Sequence, residues 1–320
     1  MWTKWFGRTV HEGLLSECPA YNCHVTNNRT LIENAGVVVF HIRDLNWDDV
    51  PSFRVPNQDY VFFNWESPHH TGGDFSADWK KYFFNWTMTY RRDSDVYAPY
   101  GQIIPRRSLL RIDLKKLIET KNKPIVWMVS NCHTPSKREV LVDKLRKYIG
   151  VDIYGGCGKH KCQKDGALSS QNPDSCGHIF EQNYKFYLAF ENSLCNDYVT
   201  EKFFLRLQRY LVPVVLQRRH YENFCPNYTK PWFIAVDDFK TVKELADYLQ
   251  YLHDNGTAYY EYLRWHEKYE TVVHLNSDTG QVTHNHWCNL CRTAAEDDSD
   301  SRVNNVFEWW YKNACQPSLY

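Results

Sequence analysis

The chain reads as an α/β protein whose second half is built around a parallel sheet. Three observations predict this. From about residue 125 onward, short apolar runs alternate with amphipathic segments, the amphipathic segments open on capping residues, and neither a repeat nor a low-complexity stretch interrupts the pattern. Alternating strands and helices place a parallel sheet between two helical layers. The length of 320 residues suits roughly two domains. With 43% hydrophobic and 16% aromatic residues the chain can bury a core, which excludes a disordered composition. Thirty-eight basic residues balance 38 acidic ones, so no global field favours a nucleic-acid backbone. No apolar run approaches the ~18 residues of a membrane span, and no signal-peptide pattern opens the chain.

In the first third, Gly36–Phe40 and Tyr60–Phe63 read as buried strands feeding polar loops. The polar, basic, proline-ended stretch Glu119–Pro124 predicts a domain boundary, which divides the chain into 1–119, 120–302 and a helical tail over 303–320. Ile125–Val129 is the next strand, and Ser136 with Glu139 forms a capping-box pattern opening a helix to about Ile149. Val151–Tyr154 follows as a strand, then a cysteine-rich insertion from Cys157 to Cys176. Phe186–Phe190 is a strand, and Thr200 caps a helix over about Glu201–Tyr210. Val212–Leu216 and Trp232–Val236 are further strands. Thr241 with Glu244 caps a helix to about His253, with Val242, Leu245, Ala246, Leu249 and Leu252 on one face.

Eleven cysteines accompany four acceptor sequons, at Asn28, Asn85, Asn227 and Asn255. Together they point to an oxidising, glycosylating compartment. Cys288 and Cys291, with Cys157 and Cys162, are conceivable zinc pairs, but the spacings repeat no known module and disulfides are the stronger reading. The odd total leaves at least one thiol unpaired within the chain. This is the pattern of the lumenal part of a protein whose anchor lies outside this sequence.

Open parallel sheets bind ligands beyond the carboxyl ends of their strands. That places the loops after Val129, Phe190, Leu216 and Val236 on one rim. Lys202 lies in the first turn of its helix, where the dipole disfavours a cation; a solvated lysine paired with Glu201 fits that position, but on the ligand rim a lysine held for an anion is the stronger reading. Arg138 opens another helix on the same rim. No glycine-rich phosphate loop is present, so side chains and helix ends must hold the anion. Glu201 can accept hydrogen bonds from ribose hydroxyls, or it is simply a first-turn helix acid. Glu66 follows a strand beside Trp65 and before a proline turn. There a carboxylate can be partly desolvated, as a general base requires, although an ordinary loop glutamate fits the same pattern. Asp93-Ser94-Asp95 is a conceivable divalent-metal pair, yet Arg91 and Arg92 stand ready to neutralise it. His69-His70 and His284-x-His286 lack a third ligand at persuasive spacing.

Tyr184–Ser193, Asp197–Lys202 and Pro213–Leu216 together resemble the signature of the α1,3-fucosyltransferases. Trp65–Pro68, Met88–Asp95, Pro99–Gly101, Val129–Asn131 with Arg138, Val236–Phe239 and Cys288-x-x-Cys291 follow in the family's order, from about Cys23 to Cys291. The resemblance implies two Rossmann-like domains facing a cleft, the glycosyltransferase B fold. It implies transfer of L-fucose from GDP-L-fucose with inversion and no required metal or cofactor. Glu66 is then the catalytic base. Arg138 and Lys202 hold the pyrophosphate, and Asn192, Tyr198 and Glu201 contact the nucleoside or sugar of the donor. It also makes Cys18, Cys23, Cys288 and Cys291 disulfide candidates, with the pairing left open.

The segments Asp152–Gly158 and Ser193–Tyr198 look more like the invertebrate enzymes that fucosylate O3 of the asparagine-linked core GlcNAc than like Lewis-type enzymes acting on antennal LacNAc. The implied partner is an N-glycan or glycoprotein, with no nucleic acid and membrane contact only through an anchor absent from this chain. The implied location is the Golgi lumen, or outside the cell as a secreted fragment. A glycan-binding module that kept the fold and lost turnover is the competing class. Retention of Glu66, Arg138, Glu201 and Lys202 together argues against it, since a binder has no need of a base.

Overall fold

The structure, a computed structural model, describes residues 1–10, 15, 18, 21–162, 176–226, 232–274, 284–296 and 305–318; for 284 and 285 only the backbone is described. The chain forms two compact units. The first contains the described residues of 1–99, 195–198 and 281–316, and the second those of 100–194, 199–280 and 317–320.

The first unit holds a four-stranded parallel sheet in chain order: β1 (Val37–His41), β2 (Asp59–Asn64), β3 (Trp86–Thr89) and β4 (Val96–Tyr97). The strands read as apolar runs because both faces are covered; Phe40, Val61, Phe62, Phe63 and Met88 are fully buried. Two helices, His284–Glu296 and Val306–Tyr311, belong to this unit. Disulfides Cys18–Cys288 and Cys23–Cys291 staple the first of them. Cys195–Cys315 ties the 195–198 segment to the C-terminal stretch.

In the second unit, β5 (Gly101–Pro105) precedes β6 (Lys123–Met128), β7 (Val151–Tyr154) and β8 (Tyr184–Leu188). After the two-residue β9 (Leu194–Cys195) come β10 (Val212–Val215), β11 (Ile234–Ala235) and β12 (Tyr269–Val273). Five of these form a fully parallel sheet in the order β11-β10-β8-β6-β7, the alternation expected from the sequence. Leu141, Leu145, Leu245 and Leu249 of the flanking helices share one core with Phe186, Leu188, Val212 and Val214 of the strands. Each fully buried side chain of this kind contributes roughly 1.5–3 kcal/mol. Disulfides Cys132–Cys157 and Cys162–Cys176 lie here, and Cys225 is a free, buried thiol.

Two expectations are corrected. The change of unit falls at Pro99/Tyr100, not at 119/120. β5 pairs antiparallel with β12, and Leu114 and Ile118 pack in the same core as Ile125, so 100–119 is built into the second unit. Gly101 marks that start: a Cβ there would lie 2.5 Å from the Phe204 ring. The 303–320 tail does carry a helix, but it belongs to the first unit. Second, Ser136 and Glu139 form no capping box. The helix runs Arg138–Leu145 after Lys137 in the left-handed region (φ 54°). The Ser136 hydroxyl donates instead to the Glu191 carbonyl, and Glu139 accepts from the Thr134 N–H and hydroxyl. Thr200 and Thr241 cap their helices as expected.

Candidate active site

The strand order of the second unit reverses between β6 and β8, since the chain leaves β6 for β7 on one side and returns to β8 on the other. Such a switch point is where open parallel sheets take their ligands. Arg138 stands on the loop–helix leaving β6 and is 4% exposed. Its guanidinium donates to the Phe190 carbonyl at 2.6 Å and the Asn131 carbonyl at 3.2 Å. Ser136 adds its hydroxyl to the Glu191 carbonyl at 2.7 Å and its N–H to the Asn192 carbonyl at 3.0 Å. The loop after β8 is thereby stitched to the loop after β6.

Glu191 is the hub of this cluster. It is 2% exposed, and its Oε1 accepts from the Thr200 N–H at 2.9 Å and hydroxyl at 2.8 Å. Its Oε2 lies 3.0 Å from Lys202 Nζ, which also donates to Thr200 Oγ1 at 2.9 Å and to Glu201 Oε1 at 3.3 Å. Burial pushes the Lys202 ammonium down, but Glu191 and Glu201 outweigh it and hold the pKa above its ordinary value. Asn192 keeps a buried side-chain Oδ1 with no hydrogen-bond partner among the described residues. Arg138, Asn192, Glu201 and Lys202 are therefore brought together at one end of one sheet. Glu191 and the second role of Thr200 were missed from the sequence. The available signal was an acid immediately after a fully apolar strand, with a lysine and a second acid ten residues on.

Glu66 and Tyr198 belong to the first unit. Glu66 lies just beyond the carboxyl end of β2, its side chain 24% exposed. The Tyr198 hydroxyl donates to Glu66 Oε2 at 3.4 Å, and Arg43 Nη1 lies 3.5 Å from Oε1. Tyr198 itself is 4% exposed, packed on the Tyr90 ring at 5.0 Å. The preceding Asp197 adopts φ 57° and accepts from the Arg92 N–H at 3.1 Å. Within the first unit, Tyr198 thus meets Glu66.

Asp93 and Asp95 are engaged by protein donors. Arg91 grips Asp93 bidentately at 2.9 and 2.6 Å, with the Trp309 indole at 3.0 Å. Asp95 accepts from the Thr87 N–H and hydroxyl at 2.7 Å each. His70 meets the Ser67 hydroxyl, and His286 lies 2.9 Å from the Pro99 carbonyl; the His284 side chain lies outside the described residues. Among the described residues, His69 groups with Cys195 and Cys315, whose sulfurs are already bonded to each other in a disulfide. A cavity of about 420 Å³ in the first unit is lined by Val37–Val39, Trp287 and Leu290 together with Cys23, Asn28 and Cys291, but by none of the candidate catalytic or donor-binding residues.

Of the sequons, Asn28 is exposed and Asn255 half-buried, and each caps a helix through its Oδ1. Asn85 is 5% exposed, with its Oδ1 accepting from the Tyr60 N–H at 2.9 Å and from Arg54. Asn227 lies outside the described residues.

Residues 118–310 match the profile of glycosyltransferase family 10 (fucosyltransferase) C-term, and residues 1–101 match that of fucosyltransferase, N-terminal. The α-(1,3)-fucosyltransferase fut-1 of Caenorhabditis elegans is 36% identical over 309 residues, covering 94% of this chain and 67% of that protein. The glycoprotein 3-α-L-fucosyltransferase A of Drosophila melanogaster is 33% identical, covering 97% and 58%. The 4-galactosyl-N-acetylglucosaminide 3-α-L-fucosyltransferase 9 of Rattus norvegicus is 31% identical, covering 97% and 81%. These matches define a glycosyltransferase. The chain belongs to family 10, the fucosyltransferases, and is an α1,3-fucosyltransferase.

Proposed function

We propose that this enzyme moves L-fucose from GDP-L-fucose to O3 of the asparagine-linked core GlcNAc of N-glycans, with inversion. The observation that carries the donor half is the convergence of Arg138, Lys202 and a helix N-terminus on the switch point of the second unit's sheet. In this reading Arg138 and Lys202 bind the pyrophosphate, and Asn192 and Glu201 bind the nucleoside or sugar. Arg138, Lys202, Glu191 and Glu201 sum to zero charge, so the donor must draw Lys202 towards its phosphates. Glu201 is the partner more easily given up, at 3.3 Å against 3.0 Å for Glu191. A glycosyltransferase B fold belongs to the same reading, supported by a parallel sheet in each unit.

Glu66 takes the proton from the acceptor O3 as that oxygen attacks C1 of fucose. The C1–O bond to the phosphate breaks through an oxocarbenium-like transition state, and GDP departs with the bonding pair. Lys202, Arg138 and the helix end stabilise the leaving anion. Engagement of Asp93 and Asp95 by protein donors supports chemistry independent of a metal on that pair. The core acceptor is supported by the 36% identity to fut-1 and 33% to the fly glycoprotein 3-α-L-fucosyltransferase A, against 31% to the rat enzyme. A secretory-pathway, lumenal setting is supported by five disulfides among the described residues.

The test is fucose transfer from GDP-fucose, with EDTA present, to a GlcNAc-terminated N-glycopeptide and to free LacNAc in parallel. Product on the asparagine-linked GlcNAc is expected. Product only on LacNAc would move the enzyme to the Lewis type, and product only after manganese is added would revive the aspartate pair.

A further inference from the structure

Among the described residues, the Glu66 side chain makes long contacts, at 3.4 Å to Tyr198 and 3.5 Å to Arg43, so its aim is set largely by its backbone. That backbone is clasped by one neighbour. Asn64 Oδ1 accepts from the Glu66 N–H at 3.3 Å, and Asn64 Nδ2 donates to the Glu66 carbonyl at 3.3 Å. The same Nδ2 donates to Thr71 Oγ1 at 2.8 Å. The Thr71 hydroxyl donates to the Ser67 carbonyl at 2.9 Å and accepts from the Trp310 indole N–H at 2.8 Å. It thus uses its one donor and both acceptor positions. Asn64, Ser67, Thr71 and Trp310 are all 0% exposed, so none of them can turn to water when a partner is lost.

We infer that Asn64, Thr71 and Trp310 are positioning residues for Glu66, an inference that rests on Glu66 being the base. Trp310 lies on the Val306–Tyr311 helix, so the C-terminal stretch supports the turn that carries the base. The chain of hydrogen bonds connects side chain to side chain and ends on both backbone groups of the glutamate. Apolar residues of the same shape would fill the space without the demand that every polar atom be matched. Polar groups here have a different effect: they fix the turn in one geometry, to within the few tenths of an ångström that proton transfer requires.

Thr71→Val removes the hydroxyl at constant shape, and Trp310→Phe removes the indole N–H while keeping a ring. Each is expected to lower kcat by about 10- to 100-fold with both KM values changed by less than about threefold. Thr71→Ser, which restores the hydroxyl, is expected to recover most of the rate. In a Glu66→Gln background, followed in single turnover with labelled donor, Thr71→Val should cost nothing further, because its effect passes through the base. Wild-type kcat in both Thr71→Val and Trp310→Phe would overturn the positioning role, as would an equal loss in the Glu66→Gln background. Near-wild-type turnover of Glu66→Gln alone would instead remove the base reading itself. Should Thr71→Val fail to fold, Trp310→Phe carries the same test.

Discussion

Lys202 donates to Glu191 at 3.0 Å, in a pair formed between the loop leaving an apolar strand and the first turn of the following helix. Losing one partner of such a buried pair strands the other's charge. Lys202→Met is therefore expected to destabilise the fold by roughly 3 kcal/mol and to weaken GDP binding by about 10- to 100-fold. Adding Glu191→Gln should recover stability, since the glutamine still accepts from Thr200, without recovering GDP affinity. Thermal melts and calorimetric titration with GDP separate the two effects. Unchanged GDP affinity in Lys202→Met would count against the phosphate role. Because both glutamates hold the Lys202 pKa up, GDP affinity should show no loss from this group as pH rises from 6 to about 9.

The Tyr198 hydroxyl donates to Glu66, the proposed base. Tyr198→Phe keeps the ring against Tyr90 and removes the hydroxyl. It should lower kcat by about 3- to 10-fold, the scale of one long hydrogen bond to a carboxylate. A rise in donor KM with unchanged kcat would place the hydroxyl on the donor instead.

Lys121 is 3% exposed and donates to the carbonyls of Glu181 and, at 3.0 Å, Tyr184. Burial pushes its ammonium down from 10.5 to about 7, with Glu181 opposing. Between those values the unfolded chain binds the extra proton, so this group makes stability rise with pH from about 7 towards 10.5, its cost being full below 7. Lys185 is depressed in the same sense by burial. Lys121→Met should flatten the rise measured by urea denaturation between pH 7 and 9.5. A slope equal to wild type would contradict the assignment.

Asn85 has its Oδ1 bound inside the first unit, whereas Asn28 stands exposed. Glycopeptide mapping of protein from a glycosylating host is expected to find glycan at Asn28 and none at Asn85. Full occupancy at Asn85 would require the Tyr60–Asn85 contact to be absent.

Much of the second unit was legible in the sequence because its signals are local. Strands buried on both faces, such as Val212–Val215, read as unbroken apolar runs, and Thr200 and Thr241 sit within a few residues of the N–H groups they cap. What escaped depends on partners distant along the chain. Ser136 was drawn from its expected cap by the Glu191 carbonyl, 55 residues away. The unit change at Pro99 depends on β5 finding β12, whose pairing joins Ile103 to Thr271. Trp232–Val236 shortened to Ile234–Ala235, where only two residues pair with β10. The placement of Arg138 and Lys202 on the rim was legible from the order of strands and helices. Glu191 was not, because its role exists only once the strand end and the helix start face each other.

The most direct measurement is the turnover of Glu66→Gln with GDP-fucose and the N-glycopeptide acceptor, alongside its affinity for GDP. General-base removal is expected to lower kcat by about 10²- to 10⁴-fold and leave GDP binding unchanged, because in this reading Glu66 acts on the acceptor hydroxyl while Arg138 and Lys202 hold the phosphates. Turnover near the wild-type rate would contradict the assignment of Glu66 as the group that activates the acceptor hydroxyl.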